Sequence, residues 1–308
     1  MIKKVLKHYF QMDSIKFSLI IPVAPNRDAE ILKSIKNLDY DHKKIEVIVK
    51  NGTNPSKNRN DAAKEAKGEF LVLLDDDAVI KKNYLKLLDN IIKKYHPLAL
   101  GGPQLTPHDD NYFGKASGHI LTSFIATHNM SNRYKRGKIN KNANEFYFTS
   151  ANFCISREVY LSLNGFNETL FPGEDPEFFS RLKDKGINIL YHPMMIIYHR
   201  RRSDLLSMSK QFFLYGLVRI KKEKISKTNS LIFYIPSLFV IYLILLPFLY
   251  LITPLLVLPF FIYLAIIIAT SLDLSFKNHL KYLILYPFLF FIVHISYGGG
   301  MLFSLFHK

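Results

Sequence analysis

Three long stretches toward the C-terminal end carry no Lys, Arg, Asp or Glu, and they constrain this chain more than any other feature. Leu231 to Ile252 runs 22 residues, Leu255 to Leu272 runs 18, and Tyr282 to Phe306 runs 25 with His294 as its one ionisable group. At 1.5 Å per residue a 22-residue helix is about 33 Å long, enough to cross the hydrocarbon of a bilayer. Helices buried in soluble proteins rarely run so far without a charge, so three membrane spans are expected. Pro236, Pro247, Pro259 and Pro287 lie inside the runs, which membrane helices tolerate.

Lysines give the orientation. Lys221, Lys222, Lys224 and Lys227 precede the first run, the turn at Thr253-Pro254 has none, and Lys277 and Lys281 separate the second run from the third. The positive-inside pattern places the residues before the first run, and the loop Asp273 to Lys281, in the cytoplasm. Thr253-Pro254 and His307-Lys308 fall on the far side. Met1 to Asp13 alternates lysines with apolar residues and does not read as a signal peptide. The expectation is a multi-pass protein of the cell membrane with a cytoplasmic N-terminal domain.

Lys and Arg total 41 against 25 acids, a net charge of +16, yet 49% of the chain is hydrophobic. That pairing excludes a disordered acidic chain and leaves membrane lipid, a phosphorylated substrate or nucleic acid as partners for the charge. From Arg200 to Lys227 there are nine Lys or Arg against Asp204 and Glu223. This basic run lies next to the first span, which favours membrane lipid, and no nucleic-acid module is visible. From Leu205 to Lys222 the period is helical, with Ser207, Lys210 and Gln211 on one side and Met208, Phe212 and Phe213 elsewhere. That pattern fits an interfacial helix or one packed on the soluble domain, and Arg219 inside the apolar arc would snorkel in the first case. The domains expected are 1–203, a juxtamembrane segment 204–230, and a membrane domain 231–308. The lone Cys154 forms no intramolecular disulfide and reads as a small core residue.

Between Ile15 and Gly102 short apolar runs alternate with helical stretches. Phe17–Val23, Ile45–Lys50, Glu69–Leu74 and Leu98–Gly101 read as strands; Asp28–Leu38, Ser56–Ala66 and Lys82–Lys94 read as helices. Such alternation predicts an α/β sheet with parallel strands, whose ligands bind at the carboxyl ends. Ala24 to Arg27, Asn51 to Lys57 and Asp75 to Asp77 sit there. Neither a GxGxxG nor a P-loop follows the first strand. The triplet Asp75-Asp76-Asp77 is either an acidic turn or a site for a hard divalent ion, and its place after a strand favours the ion. Glu174, Asp175 and Ser180, after Pro172-Gly173, suit helix capping as readily as catalysis. In Tyr198-His199-Arg200-Arg201-Arg202, the imidazole can ligate metal and the guanidiniums can hold phosphate oxygens, or the run can serve anionic lipid.

In order, these pieces resemble the family 2 glycosyltransferases. The resemblance rests on Phe17–Val23, Lys57-Asn-Arg59-Asn60 with Ala66–Glu69, Leu74–Asp77, Thr149–Phe153, Gly165-Phe166, Gly173-Glu-Asp175 and His199, and it covers about Ile15 to Leu217. It implies a GT-A nucleotide-diphospho-sugar transferase fold with a mostly parallel sheet. It also implies Mn²⁺ or Mg²⁺ on Asp77 and His199, and a general base at Asp175 with Glu174 beside it. Donor binding would fall to Pro22, Ala24, Asn51, Arg59, Asp75, Asp76 and Arg202. The implied activity is inverting transfer of a sugar from a nucleotide-diphosphate sugar to a lipid-linked or cell-surface glycan acceptor, a polyprenyl phosphate among them. A catalytically silent membrane scaffold is the alternative. Two departures stand out. Lys50-Asn51-Gly52-Thr53 puts an amide where many members carry a carboxylate for the nucleotide base, and Gln211-Phe-Phe-Leu-Tyr215 lacks the Arg-Trp of processive synthases.

Overall fold

The computed structural model describes residues 15–226 and 231–306; the readings placed on Met1–Asp13, Lys227 and His307-Lys308 lie outside the described residues. In chain order the elements begin β1 (Phe17–Val23), α1 (Ile31–Ile35), β2 (Ile45–Asn51), α2 (Pro55–Glu65), β3 (Phe70–Leu74), β4 (Ala78–Ile80), α3 (Tyr84–Tyr95), β5 (Ala99–Gly101) and β6 (Gln104–Leu105). There follow α4 (Tyr112–Leu121), α5 (Phe124–Thr127), β7 (Asn140–Ala143), β8 (Asn152–Ser156), α6 (Arg157–Ser162), α7 (Glu174–Asp184), β9 (Ile189–Tyr191) and β10 (Ile197–His199). The last are α8 (Leu205–Leu217), α9 (Arg219–Ser226), α10 (Ile235–Ile252), α11 (Leu258–Lys277) and α12 (Leu285–Phe306). Two compact units result. The first holds the described residues up to Gln104, with Gly137–Thr169 and Phe178–Ile197; the second holds Leu105–Arg136, Leu170–Glu177 and the described residues from Tyr198 onward.

In the first unit a seven-stranded sheet runs β2-β1-β3-β8-β5-β9-β7, and a second, three-stranded sheet has the order β4-β10-β6. Every residue of β1 and β3 is buried, because these two apolar strands lie inside the sheet with both faces covered. Alternation along β1 sorts the two layers. Phe17, Leu19, Ile21 and Val23 enter one core with Ile31, Ile35, Leu85, Leu88 and Ile92, while Ile20 enters the other with Ala62, Ala63, Leu71 and Leu73. The α2 helix starts where Asn54 accepts from Lys57 N–H at 3.2 Å and Pro55 opens the first turn.

The sheet is mostly parallel but not wholly so. β2, β1, β3, β5 and β9 share one direction, whereas β8 is antiparallel to both β3 and β5, and β7 is antiparallel to β9. Alternation within residues 15–102 cannot reveal β8, which enters between β3 and β5 from more than fifty residues downstream. Cys154 lies on β8, fully buried, as its core reading requires.

In the second unit, Leu231–Ile252, Pro254–Lys277 and Leu285–Phe306 are long and apolar enough to cross a membrane. The middle one outruns the uncharged stretch because α11 continues through Asp273, which accepts from Lys277 one turn on at 2.7 Å. Its neighbour α12 is the packed one: Tyr286, Leu289, Phe290, Val293, Gly298, Gly300 and Met301 are buried, against Ser237 alone in α10. The helix read as Leu205 to Lys222 breaks at Val218, and α8 packs along α12, a partner neither expectation named. A Cβ at Gly216 would run into the Tyr297 carbonyl, and one at Gly300 into the Phe213 carbonyl, so glycine sets this approach. Arg219 does not snorkel. It is 5% exposed, donates from Nε to the Tyr297 hydroxyl at 2.7 Å, and stacks 3.6 Å over Phe233. Glu223 sits 3.9 Å away and accepts from Tyr234 at 2.8 Å, so the buried charge keeps polar and ionic partners.

Candidate active site

The carboxyl edge of β2, β1 and β3 gathers most of the donor-site residues expected from sequence. Val23 of β1 is in register with Asn51 of β2, so Ala24 and Asn51 emerge side by side and both are exposed. Pro22 is buried within β1 opposite Lys50 and shapes the strand end from inside. Gly52 donates to the Val23 carbonyl at 3.0 Å, and its own carbonyl accepts from Asn58 at 3.1 Å, which ties this edge to the first turn of α2.

Leaving β3, the acidic triplet is held by its backbone: Ala78 N–H donates to the Asp75 carbonyl at 3.2 Å, and Ile31 N–H to that of Asp76 at 3.0 Å. Arg59, 4% exposed, reaches from α2 to Asp75 Oδ1 at 2.7 Å and lies 5.6 Å from the Phe166 ring. Arg27 places Nε 3.4 Å from Asp76 and donates to Asp77 at 3.2 Å. Asp76 is the buried member. Its burial first, then Asp77 and Asp75, raise its pKa above the usual 3.8 against the pull of Arg27. For Arg27 burial opposes the charge, but Asp76, Asp77 and Asp75 outweigh it and raise its pKa. Arg27 is the site residue that sequence reasoning did not single out, although its signal was present in the strand-end stretch Ala24 to Arg27.

Several motif residues turn out to hold the frame. Asn60 donates to the Phe166 carbonyl and to Glu168, both at 2.9 Å, and accepts from Tyr160 and from Phe166 N–H. That amide pins the turn at Gly165, whose φ of +62° and close approach to Asn60 suit glycine. Asn152 likewise donates to the Pro103 and Met195 carbonyls at 3.1 and 2.7 Å and accepts from Tyr84.

The remaining candidates belong to the second unit. Glu174 opens α7, is buried, and accepts from Gly173 N–H at 2.9 Å; that glycine sits at φ +123°. The Glu174 carboxylate therefore secures the turn ahead of α7, while Asp175 beside it is half-buried. His199 ends β10 with Nδ1 2.9 Å from the Arg200 carbonyl. Arg200 donates to Asp109 at 2.7 Å, and Arg201 to Thr106 at 3.0 Å, so these two guanidiniums have protein partners within the unit. Arg202 is exposed.

Asp75 and Asp77 are half-buried carboxylates, the hard oxygen donors that Mg²⁺ and Mn²⁺ take. Crowding of three acids, felt in the raised pKa of Asp76, makes a divalent cation a fitting guest at this strand end.

This mostly parallel sheet, with an acidic turn at its carboxyl edge, is the α/β architecture expected from the sequence. The model described as "Glycosyltransferase like family 2" matches residues 1–213, and the chain belongs to that family. Among solved structures, PcManGT, a mannosyltransferase from Pyrobaculum calidifontis in complex with GDP-Man and Mn²⁺, is similar in fold. Its TM-score is 0.57 at 14% identity, over 95% of this chain and 88% of that one. S. aureus TarS 1–349 matches at 18% identity with a TM-score of 0.46, over 67% of this chain and 64% of that one. The chain thus spans under two thirds of that TarS chain, and 39% of a longer one. Comparison with curated proteins gives no match.

Proposed function

We propose that this protein is a membrane-bound, metal-dependent glycosyltransferase that moves one sugar, with inversion, from a nucleotide-diphosphate donor to a lipid-linked or glycan acceptor at the cytoplasmic face. The observation that carries the reading is Asp75 and Asp77 at the carboxyl edge of parallel strands in a family 2 chain. PcManGT, of the same fold, is seen with GDP-Man and Mn²⁺, and the expectation of such a pair is carried to this chain. Three apolar helices on the same polypeptide favour a lipid-linked acceptor, since anchoring raises effective concentration in the membrane plane.

Asp77 and His199 would hold Mn²⁺ or Mg²⁺ with Asp75 beside them. The cation supplies Lewis-acid neutralisation of the leaving diphosphate. Arg59 holds Asp75 in place through their ion pair, and Arg27 adds positive charge where donor phosphates arrive. Asn51 accepts from a base N–H through its amide oxygen, with Pro22, Ala24 and Asp76 lining the same edge. Arg202 is assigned to phosphate. Asp175 removes the proton of the acceptor hydroxyl as the oxygen attacks the anomeric carbon. Glu174 holds the turn that carries it.

A screen of nucleotide sugars against the purified protein, with and without EDTA, tests the reading. Asp77→Asn should abolish metal-dependent donor binding in calorimetry while leaving the fold intact; unchanged metal-dependent affinity overturns it. Orientation is tested by cysteines at Thr253 and Asn278 in a background without Cys154. An impermeant reagent should label them from opposite faces, and labelling from one face removes a span.

A further inference from the structure

One peptide group links a buried carboxylate to His199. The Arg200 carbonyl lies 2.9 Å from His199 Nδ1, and the Arg201 N–H of that same peptide donates to Asp110 Oδ2 at 3.0 Å. A carbonyl oxygen only accepts, so Nδ1 carries a proton, and in the neutral imidazole Nε2 is the nitrogen left with the lone pair. Asp110 is 6% exposed, and its other oxygen accepts from Asn111 N–H at 2.9 Å. Around it, Arg200 reaches Asp109, Arg201 reaches Thr106, and the Arg201 guanidinium stacks 5.0 Å over Tyr134. The segment after β10 is therefore clasped to the loop before α4.

We infer that Asp110 is a positioning residue for His199, acting through the Arg200–Arg201 peptide to fix the imidazole's tautomer and orientation. A carboxylate polarising a peptide N–H makes its carbonyl a stronger acceptor, and that carbonyl steadies the imidazole and raises its basicity as a ligand. The familiar outer-shell arrangement puts the carboxylate directly on the histidine; here one amide stands between. No residue of this relay lies at the strand edge of β1 to β3, and no sequence motif contains Asp110. The inference rests on the reading of His199 as a metal ligand.

The test titrates Mn²⁺ alone into the full-length protein in detergent, with free Mn²⁺ followed by electron paramagnetic resonance. Asp110→Asn should weaken Mn²⁺ binding about tenfold, the low end for loss of an outer-shell partner, and should add nothing in a His199→Ala background. Imidazole ¹⁵N shifts should show His199 losing its single tautomer. Gly114→Ala gives a second route if Asp110→Asn fails to fold, because a Cβ there meets the Asp110 carboxylate at 2.7 Å and turns it without removing charge. Unchanged Mn²⁺ affinity in Asp110→Asn, with His199→Ala weakened, overturns the relay and leaves the metal reading standing. Equal losses in both backgrounds also overturn it. Unchanged affinity in His199→Ala overturns the ligand assignment and the relay together.

Discussion

The strand edge of the first unit and the apolar helices of the second are both built from runs of large hydrophobic residues, yet the runs carry different information. In β3 the apolar run Phe70–Leu74 is buried throughout and stops at Asp75. Charge begins where the hydrophobicity ends, so one boundary marks both the strand and the chemistry. In α10 and α12 the same kind of residue covers every face, while burial is concentrated on α12. Helices this long and this apolar all round could cross a membrane, and their hydrophobicity sets length while saying nothing of their neighbours. Close approach of backbones is what distinguishes them, and Gly216, Gly298 and Gly300 carry it.

The comparison is tested most severely at Asp175, because the helical unit contributes the acid proposed for chemistry. A general base touches the acceptor and makes no essential donor contact, so Asp175→Asn should lower transfer by about 10² to 10⁴ fold with donor affinity unchanged. Asn caps helices nearly as well as Asp, which separates the two roles. Transfer near the parent rate would make Asp175 structural and return Glu174 as the candidate, despite its bond to Gly173 N–H.

This contrast also explains what could be read in advance. Strand β1 appears at Phe17–Val23 as its pattern requires, and the acidic edge follows from position alone. Asn60 and Asn152 were visible as motif residues, but their bonds reach Phe166, Glu168, Pro103 and Met195, far away in sequence. For Arg219 a helical period left an interfacial helix and a packed one open, because it cannot show that Tyr297, 78 residues on, accepts from the guanidinium inside the unit. Asp110 left no trace, since the group it accepts from is the backbone N–H of Arg201, which no side-chain pattern marks.

A smaller effect sharpens the helical half. Gly216 and Gly299 both lie where helices are expected to pack, but a Cβ at Gly216 overlaps the Tyr297 carbonyl while one at Gly299 meets nothing within 4 Å. Gly216→Ala should cost about 1 to 3 kcal/mol, because a backbone atom cannot step aside as a side chain does. Gly299→Ala should be neutral or slightly stabilising, from helix propensity alone. Thermal unfolding in detergent compares them. Equal costs would mean that α8 does not approach α12 closely.

The smallest effect is expected at the strand edge and has the opposite sign. Asp76 is 6% exposed, and its burial, with Asp77 and Asp75, raises its pKa above the ordinary 3.8 in spite of Arg27. A folded state that holds a proton more tightly than the unfolded one is favoured at low pH and penalised once the group ionises. The penalty is therefore absent below about 3.8, grows as pH rises through the folded pKa, and is complete at neutral pH. Asp76→Asn keeps the shape and the backbone bond to Ile31 but removes the charge. Without divalent cations at pH 7.5 it should raise the unfolding midpoint by on the order of 2 °C, what about 1 kcal/mol does for a domain of this size. Its advantage should shrink toward pH 4, as the parent takes up the proton. A substitution that stabilises the metal-free fold while weakening donor binding would show that the triplet is kept for chemistry. If Asp76→Asn is less stable than the parent at pH 7.5, the pairing with Arg27 outweighs burial and the strand edge is a structural ion-pair network.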